Sequence, residues 1–199
     1  MKNWDLPDIR ITNPFKECLI IVGMRQSGKT NFLKWLLSQC PVRFKVFDTL
    51  AQVRGLRILD EKNQQIITPP FSQRFVKFEE TCHEVWNTGN MVFAIDEVSE
   101  FTTKWELPEH LNRLSKMGGN RNIGIWYTTQ RVAMVHNDIL SMCDHHIIFK
   151  TYLPQDLEWY SKIVPKDVIL MSKTLPPYHF IYYRLGHEPQ VFKPVKDMG

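Results

Sequence analysis

Short apolar runs alternate with stretches of helical periodicity along most of this chain. Five of the runs are apolar at almost every position and are short enough to be strands. Continuous apolar strands are typical of sheets that are buried on both faces. Because helical stretches separate the runs, the pattern predicts an α/β fold with three layers and a mostly parallel central sheet. The runs are 17–22, 44–47, 91–95, 123–127 and 146–149.

The helical stretches are recognised by apolar side chains that recur every three or four residues. In the last of them, Leu153, Leu157, Tyr160 and Val164 fall on one face. A further apolar run, Phe75–Phe78, is interpreted as another strand. The predicted helices are the one that starts at Lys29 and those at 79–88, 106–117, 132–142 and 154–164.

Two regions depart from this alternation. Tyr178–Tyr183 and Gln190–Phe192 lie on either side of Gly186, which predicts an antiparallel hairpin added to the edge of the sheet. The segment 50–74 contains two consecutive prolines and several basic residues and is the least regular part of the chain. We interpret this segment as an excursion or a mobile loop.

Composition adds little about function but limits the class of protein. The chain has 199 residues, of which 43% are hydrophobic, and residues 1–199 are interpreted as a single domain with a substantial core. The formal net charge of +4 is compatible with nucleic-acid binding but does not require it. No apolar run approaches the length of a membrane span, and the first residues lack the apolar core of a signal peptide. We therefore expect a protein that has no integral membrane segment and is not secreted.

The cysteines and histidines suggest no metal chemistry. The four cysteines are widely spaced without a C-x-x-C pair, so they are interpreted as reduced thiols in a cytosolic or nuclear setting. The sequence Cys143-Asp-His-His146 offers possible metal ligands. Because it heads the apolar run Ile147–Phe149, we interpret these side chains instead as polar residues at the edge of a strand.

The strongest chemical signal is the segment Gly23–Thr30, which has the pattern G-x-x-x-x-G-K-[ST] of a phosphate-binding loop. A glycine turn with a surface lysine is the alternative, but the apolar strand before the loop and the helix after it favour the phosphate-binding role. Lys29 is then expected to reach the β- and γ-phosphates of ATP, and the Thr30 hydroxyl to bind Mg²⁺. Loop amides and the helix N-terminus face the phosphates. The predicted nucleotide-binding residues are Gly23, Met24, Arg25, Gln26, Ser27, Gly28, Lys29, Thr30 and Asn31.

A second signal is the apolar run 91–95, which ends in the acid pair Asp96-Glu97. Ligands of open parallel sheets lie at the carboxyl ends of the strands, so Asp96 is expected beside the phosphate loop, where it can hold Mg²⁺. Glu97 is the candidate for polarising the water that attacks the γ-phosphate. Acids that follow strands are often merely solvated. The distance of this pair from the phosphate loop favours ATP hydrolysis over simple nucleotide binding.

The run 123–127 adds two further candidates. It continues into Thr128-Thr-Gln-Arg131 and is expected to lie between the phosphate-loop strand and the acid strand, so that Gln130 faces the γ-phosphate. A polar residue that starts a helix is the alternative for Gln130. Arg121 stands on a glycine-rich turn before this run, where an arginine is usually solvated. We consider it a catalytic arginine that acts in trans on a neighbouring subunit, with Arg131 and Arg113 as the next candidates.

These elements, in this order, resemble those of the HerA/FtsK superfamily of DNA-pumping ATPases, and most closely the genome-packaging ATPases of double-jelly-roll icosahedral viruses. The phosphate loop is common to many ATPases, whereas the glutamine–arginine strand end with an arginine turn upstream is more specific. The resemblance implies a three-layer P-loop NTPase fold of the ASCE, RecA-like type. The matching segments are Gly23–Thr30, Ile95-Asp-Glu97, Asn120-Arg121, Thr128-Thr-Gln-Arg131, the helix near Leu157-Glu-Trp-Tyr160 and the hairpin that begins at Tyr178.

The same resemblance implies the partners and the location. They are double-stranded DNA, further copies of this chain in a ring of five or six subunits, and capsid-vertex or portal-like proteins. It places the protein in the host cytoplasm or nucleus, or at the packaging vertex of the virion. Contacts with DNA do not transfer by motif. Lys104, Arg54, Arg57 and Lys62 are candidates for them, but each is equally well explained as a solvated charge.

Other functions remain open at this point. A filamentous-phage-type assembly ATPase or a small cellular HerA-like DNA pump would share the same nucleotide site. A nucleotide-dependent switch is less favoured because the chain lacks a guanine-specific Asn-Lys-x-Asp motif. A kinase would have no use for Glu97 beside Asp96, and a structural ATP binder would not need the acid pair.

Overall fold

The computed structural model describes residues 4–6, 9–11, 13–53 and 64–196, and its main feature is one eight-stranded sheet. A separate antiparallel pair lies at the start of the chain, formed by β1 (Trp4–Leu6) and β2 (Ile9–Ile11). The strands of the main sheet are β3 (Cys18–Val22), β4 (Phe44–Asp48), β5 (Gln64–Ile67), β6 (Met91–Asp96), β7 (Ile123–Thr129), β8 (His145–Phe149), β9 (Phe180–Arg184) and β10 (Gln190–Phe192).

The spatial order of the strands in the main sheet is β10-β9-β8-β3-β7-β6-β4-β5. All pairs from β8 to β5 are parallel, whereas β9 pairs antiparallel with both β8 and β10. The fold prediction is therefore confirmed, including the C-terminal hairpin at the sheet edge. The position of β7 between the phosphate-loop strand β3 and the acid strand β6 is also as expected.

Helices cover both faces of the sheet. The sheet separates two apolar clusters of the core, one on each face. On one face, α1 packs through Phe32, Leu33, Leu36 and Leu37. On the other face, residues of the remaining helices form the larger cluster. No helix among the described residues is long and apolar enough to cross a membrane. The helices are α1 (Lys29–Ser38), α2 (Arg74–Thr88), α3 (Glu109–Met117), α4 (Asn137–Met142), α5 (Pro154–Tyr160) and α6 (Lys166–Thr174).

The phosphate-loop strand shows why the central strands are apolar at every position. Leu19 and Ile21 of β3 point into the α1 cluster, whereas Ile20 and Val22 point into the opposite one. Successive side chains of a strand face opposite sides of the sheet, and here both sides are buried.

Several local predictions were wrong. Phe75–Phe78 is part of α2 and is not a strand, because Phe78, Cys82 and Val85 form a buried helical face while Phe75 stays exposed. The predicted helix 132–142 is a 3₁₀ turn at Val132–Met134 followed by the short α4.

Other differences concern elements that the sequence pattern did not indicate. The pair β1–β2 and the helix α6 were not predicted, and β5 occupies part of the segment interpreted as an excursion. Residues 54–63, with the candidate DNA contacts Arg54, Arg57 and Lys62, lie outside the described residues.

Candidate active site

A cavity of about 430 Å³ opens at the carboxyl ends of β3, β7 and β6. Neighbouring parallel strands end at the same edge of a sheet, so the loops that follow these three strands converge there. Most of the predicted site residues line this cavity, and Arg121 does not. The lining residues are Arg25, Gln26, Ser27, Gly28, Lys29, Thr30, Asn31, Leu50, Gln52, Asp96, Glu97, Gln130 and Tyr178.

The phosphate loop has a backbone that requires its glycines. Gly28 has φ +109°, in the left-handed region, and starts α1 without a side-chain cap. A Cβ atom on Gly23 would lie 2.6 Å from Cβ of Phe149 and 2.7 Å from Oγ of Ser27, so no side chain fits there. The first amides of a helix have no intrahelical acceptor. The loop therefore presents N–H groups and the positive end of α1 to the cavity.

Lys29 is buried at the first position of α1, and its ammonium group donates a hydrogen bond of 2.9 Å to the carbonyl oxygen of Met24. Burial lowers the pKa of Lys29 to about 8, while Glu97 and Asp96 act in the opposite direction. The side chain is thus cationic at neutral pH and is held across the loop by one carbonyl. A cation in this place can pair with phosphate oxygens.

Asp96 ends β6 and is almost completely buried. The Thr128 hydroxyl donates a hydrogen bond of 2.8 Å to its Oδ1, whereas its Oδ2 has no hydrogen-bond partner among the described residues. Burial raises the pKa of Asp96 to about 6. A buried carboxylate oxygen without a donor is the arrangement that a hard cation satisfies. Thr30 lines the same cavity and has an exposed hydroxyl that donates to Oε1 of Gln52 at 3.1 Å, so the two predicted Mg²⁺ ligands fit that ion.

Glu97 has a strained backbone and a tightly held side chain. Its φ of 57° and ψ of 63° lie in the left-handed region, which costs a non-glycine residue about 1–3 kcal/mol. Its N–H donates to the Thr128 hydroxyl at 2.9 Å. Its Oε1 accepts hydrogen bonds from the N–H of Gln130 at 2.8 Å and from the hydroxyls of Ser99 at 2.6 Å and Thr129 at 3.3 Å. The carboxylate is therefore fixed in the wall of the cavity, and Glu97 follows Asp96 directly.

Gln130 follows the last residue of β7, and its side chain lines the cavity while its N–H binds Glu97. It does not start a helix, because the next turn begins at Val132. The structure thus brings Lys29, Asp96, Glu97 and Gln130 to one cavity.

The three candidate arginines lie elsewhere. Arg121 precedes β7 at the opposite end of that strand from Gln130, about 20 Å away, because six residue steps of about 3.3 Å separate the ends of the strand. Its guanidinium is exposed, donates a hydrogen bond of 3.1 Å to the carbonyl oxygen of Asn87 and lies 5.4 Å from the ring of Trp86. The guanidinium of Arg113 lies 3.9 Å from the same ring. Arg121 cannot reach the cavity of its own chain.

Arg131 is already engaged in its own chain. Its Nε donates to Oδ2 of Asp156 at 3.2 Å, and Oδ1 of this buried acid accepts from the N–H of Ala133 at 2.8 Å. The ion pair fixes the segment that follows β7. A structural role therefore accounts for Arg131.

Sequence reasoning missed three contributors to this region. Asp48 is buried at the end of β4, and its carboxylate accepts from the N–H groups of Gln52 at 2.9 Å and Val53 at 3.1 Å. That turn brings Gln52 to Thr30. The sequence signal that could have identified Asp48 is an acid at the end of an apolar strand. Tyr178 also lines the cavity, and its position depends on the path of the C-terminal hairpin, which no local pattern indicates.

The buried polar residues at 143–146 have internal partners. Nδ1 of His145 lies 2.8 Å from the hydroxyl of Tyr182, and Nδ1 of His146 lies 2.6 Å from the hydroxyl of Tyr160. The sulfur of Cys143 lies 3.5 Å from that of Cys18. Both histidines belong to the packed interior of the sheet, deeper than the strand edge that was expected.

Comparison with known proteins gives structural matches alone. Neither a family model nor a curated protein matches this sequence. The fold is similar to that of the genome packaging NTPase B204 from Sulfolobus turreted icosahedral virus 2, solved in complex with ATP-gammaS. The TM-score is 0.76 at 21% identity, over 92% of this chain and 100% of that chain.

Two further solved structures show the same fold in other settings. For the pCW3 conjugation coupling protein TcpA with ATPgS, the TM-score is 0.60 at 17% identity, over 92% of this chain and 61% of that chain. For the N-terminal domain of zonular occludens toxin from Neisseria meningitidis, it is 0.57 at 12% identity, over 91% of this chain and 95% of that chain. At these identities the matches establish the fold, which is that of a P-loop nucleotide-binding protein.

Proposed function

We propose that this protein is an ATPase that translocates double-stranded DNA and packages a viral genome into a preformed capsid. The observation that carries the ATPase part is the meeting of Lys29 with Asp96 and Glu97 in one cavity at the phosphate loop. Asp96 as a Mg²⁺ ligand would also serve a protein that only held ATP, but such a protein would gain nothing from a second buried acid, Glu97, because burial of carboxylates is costly. The placement of the two acids fits hydrolysis.

In this proposal the phosphate loop, Gly23 to Asn31, holds the triphosphate through its amides and Lys29. Thr30 and Asp96 would hold Mg²⁺, and the ligand atom of Asp96 would be Oδ2, which has no hydrogen-bond partner in the part of the chain that the structure describes. The bound ion would neutralise charge on the phosphates. Lys29, whose side chain is buried, supplies a further fixed positive charge.

Glu97 acts as the general base for the attacking water, and Gln130 senses the γ-phosphate. The hydrogen bond between the N–H of Gln130 and Oε1 of Glu97 ties these two groups together. A displacement of the Gln130 main chain would therefore move the acid and the end of β7 together. The carboxylate is oriented before substrate arrives, which lowers the entropic cost of positioning the water.

The position of Arg121 supports assembly of the protein into a ring of subunits. An exposed arginine that lies about 20 Å from its own site can complete only the site of another subunit. Its planar guanidinium would then stabilise charge that develops on the transferred phosphoryl group. Five and six subunits are both compatible with this role.

The DNA-packaging part rests on the likeness to B204, which is described as the DNA-packaging ATPase from Sulfolobus turreted icosahedral virus. B204 has been solved with ATP-gammaS, AMP and AMPPCP, and the match covers nearly the whole of both chains. A capsid vertex or portal-like protein would be the further partner, and the host cell or the virion vertex the location. The TM-score of 0.57 to the toxin domain makes an assembly ATPase the weaker candidate.

The deciding experiment measures ATP hydrolysis by the purified protein with and without double-stranded DNA, at low and at moderate salt. We expect Mg²⁺-dependent hydrolysis that DNA stimulates, and a DNA affinity that falls steeply as salt increases. Particle mass with a non-hydrolysable analogue and DNA gives the number of subunits. If the purified protein neither binds DNA nor assembles with any nucleotide, the proposal of a translocase is wrong.

A further inference from the structure

A second cavity adjoins the one at the phosphate loop, and its lining is mostly apolar and aromatic. Its volume is about 440 Å³. Gly28, Asn31 and Tyr178 line both cavities, so the two meet at the start of α1. The second cavity is completed by Phe149, Pro194 and Val195, which are all apolar.

Tyr178 is the aromatic residue among the three that line both cavities. Its ring leans on the phosphate loop, because Cδ1 lies 3.4 Å from the position of a Cβ atom on Gly28. Its φ of 61° is left-handed, which is unfavourable for an aromatic residue and is found mostly where the surrounding chain imposes it for function. The turn is closed by the N–H of His179, which donates to the carbonyl oxygen of Pro176 at 3.2 Å. The ring is nevertheless 57% exposed, so packing in the described residues does not account for it.

The opposite wall is the segment that follows β10. The side-chain amide of Asn31 donates a hydrogen bond of 3.2 Å to the carbonyl oxygen of Lys196, which ties this segment to α1. Val195 packs against the core cluster on the α1 face, and Phe149 is buried beneath it. The cavity thus has a fixed floor and wall and one open aromatic face.

We propose that this second cavity binds the purine base of the nucleotide, which stacks on the ring of Tyr178. The inference rests on the proposed function, since it requires that the phosphates occupy the neighbouring loop. A cavity that is lined mostly by apolar and aromatic side chains and lies beside a phosphate site suits a nucleobase. The polar side-chain groups among the lining residues are the Tyr178 hydroxyl and the Asn31 amide, and the amide already donates to the carbonyl oxygen of Lys196. The cavity therefore recognises the face of the base more than its edge. ATP and GTP therefore bind with similar affinity, and removal of the ring weakens both.

The test compares nucleotide binding with binding of inorganic tripolyphosphate, which has no base. Titration calorimetry with Mg²⁺ is carried out on the wild-type protein, on Tyr178→Ala and on Tyr178→Phe. Loss of one stacking contact corresponds to a decrease of about 5- to 150-fold in affinity. Tyr178→Ala is expected to show that decrease for ATP and for GTP and none for tripolyphosphate, while Tyr178→Phe stays close to wild type.

Tyr152→Ala is the matched control, because Tyr152 is 53% exposed and lines neither cavity. Tyr178→Gly serves as a second variant, since glycine accepts the positive φ without strain. Unchanged ATP affinity in both Tyr178→Ala and Tyr178→Gly, or an equal loss for ATP and tripolyphosphate, would overturn the base site. Wild-type protein that binds ATP tightly without hydrolysing it would instead refute the ATPase and leave the base site supported.

Discussion

The main-chain N–H of Gln130 lies 2.8 Å from Oε1 of Glu97 and donates a hydrogen bond to it. This contact joins the tip of β7 to the acid that follows β6, across two neighbouring strands. Because the donor is a backbone group, it holds the carboxylate whatever side chain stands at position 130. Gln130 therefore has two separable roles: its main chain holds the carboxylate of Glu97, and its side chain is free to sense the γ-phosphate.

Glu97→Gln should abolish hydrolysis and preserve ATP binding. The amide keeps an oxygen that can accept from Gln130, but it cannot take a proton from water, so turnover should fall by about 10²- to 10⁴-fold. Steady-state phosphate release and equilibrium ATP binding check the two halves. Glu106→Gln, at an exposed acid before α3, is the control and should turn over like wild type. Equal turnover of Glu97→Gln and wild type would remove the base assignment.

Asp96→Asn should weaken Mg²⁺-dependent nucleotide binding without harming the fold. The oxygen that accepts from Thr128 is retained, whereas a buried charge is removed, so the ligand-free unfolding midpoint at pH 7 should equal or exceed that of wild type. Thermal shift with ATP, in Mg²⁺ and in EDTA, measures this. The Mg²⁺-dependent part of the shift should be lost in the variant; a full shift would argue against Asp96 as a ligand.

Gly23→Ala should disrupt the phosphate loop. The new methyl group would lie 2.6 Å from Cβ of Phe149, and relieving such overlap costs about 1–3 kcal/mol of unfolding free energy. Chemical denaturation and ATP binding should both report the change. Gly119→Ala is the control, because a methyl group there meets nothing closer than a carbonyl oxygen at 4.0 Å. A Gly23→Ala protein as stable as the control would show that the loop can move aside.

Arg121→Ala should lose hydrolysis, and mixing should restore part of it. Its subunits retain Glu97, and Glu97→Gln subunits retain Arg121, so a mixed assembly contains some complete sites. The side chain is exposed, so the loss of its hydrogen bond to Asn87 should lower the unfolding free energy by no more than about 1 kcal/mol. Arg121→Lys keeps the charge but loses the planar fork and should remain impaired. Mixed assemblies that show no recovery would count against a shared site.

The buried His146 should make the protein sensitive to acid. Nε2 lies 3.1 Å from the carbonyl oxygen of Cys143 and must donate to it, so Nδ1 accepts from Tyr160 and the ring is neutral. Burial lowers the pKa of His146 from 6.5 to about 4. Its contribution to stability is therefore complete above pH 6.5 and is lost as the pH falls through 4, a change of up to about 3 kcal/mol.

Denaturant unfolding between pH 7 and pH 4 measures that dependence. His146→Gln should be less stable at pH 7 yet show a flatter pH profile than wild type. His187→Gln, which replaces an exposed histidine, should keep the wild-type profile. If the unfolding free energy of His146→Gln depends on pH as steeply as that of wild type, another group causes the acid sensitivity.

The parts of the site that the sequence predicts are those encoded by contiguous residues. Both the strand that precedes Gly23–Thr30 and the strand that precedes Asp96-Glu97 are recognised from contiguous residues. A phosphate-loop pattern followed further along the chain by an acid pair at a strand end is typical of a nucleotide site. The separation of Arg121 from the cavity is a property of strand direction. It follows from the sequence once the sheet is known to be parallel.

What the sequence does not predict depends on distant contacts. Phe75–Phe78 has no period of its own over four residues, and the buried face of α2 decides that it is helical. The helix α6 begins after Pro165, but its apolar residues are the consecutive ones Val168–Met171, which show no helical period. The position of Tyr178 depends on where the hairpin returns to β8, and a positive φ in an aromatic residue has no sequence signature.

The strand β7 is buried over all of its seven residues and bears Arg121 before its first residue and Gln130 after its last. In a ring of such subunits, one end of the strand would belong to the subunit's own site and the other to the site next door. A strand clamped in the middle of a sheet neither stretches nor bends appreciably. In the proposed ring, a displacement at one γ-phosphate would therefore be carried along β7 to the turn that bears Arg121, beside the adjacent site.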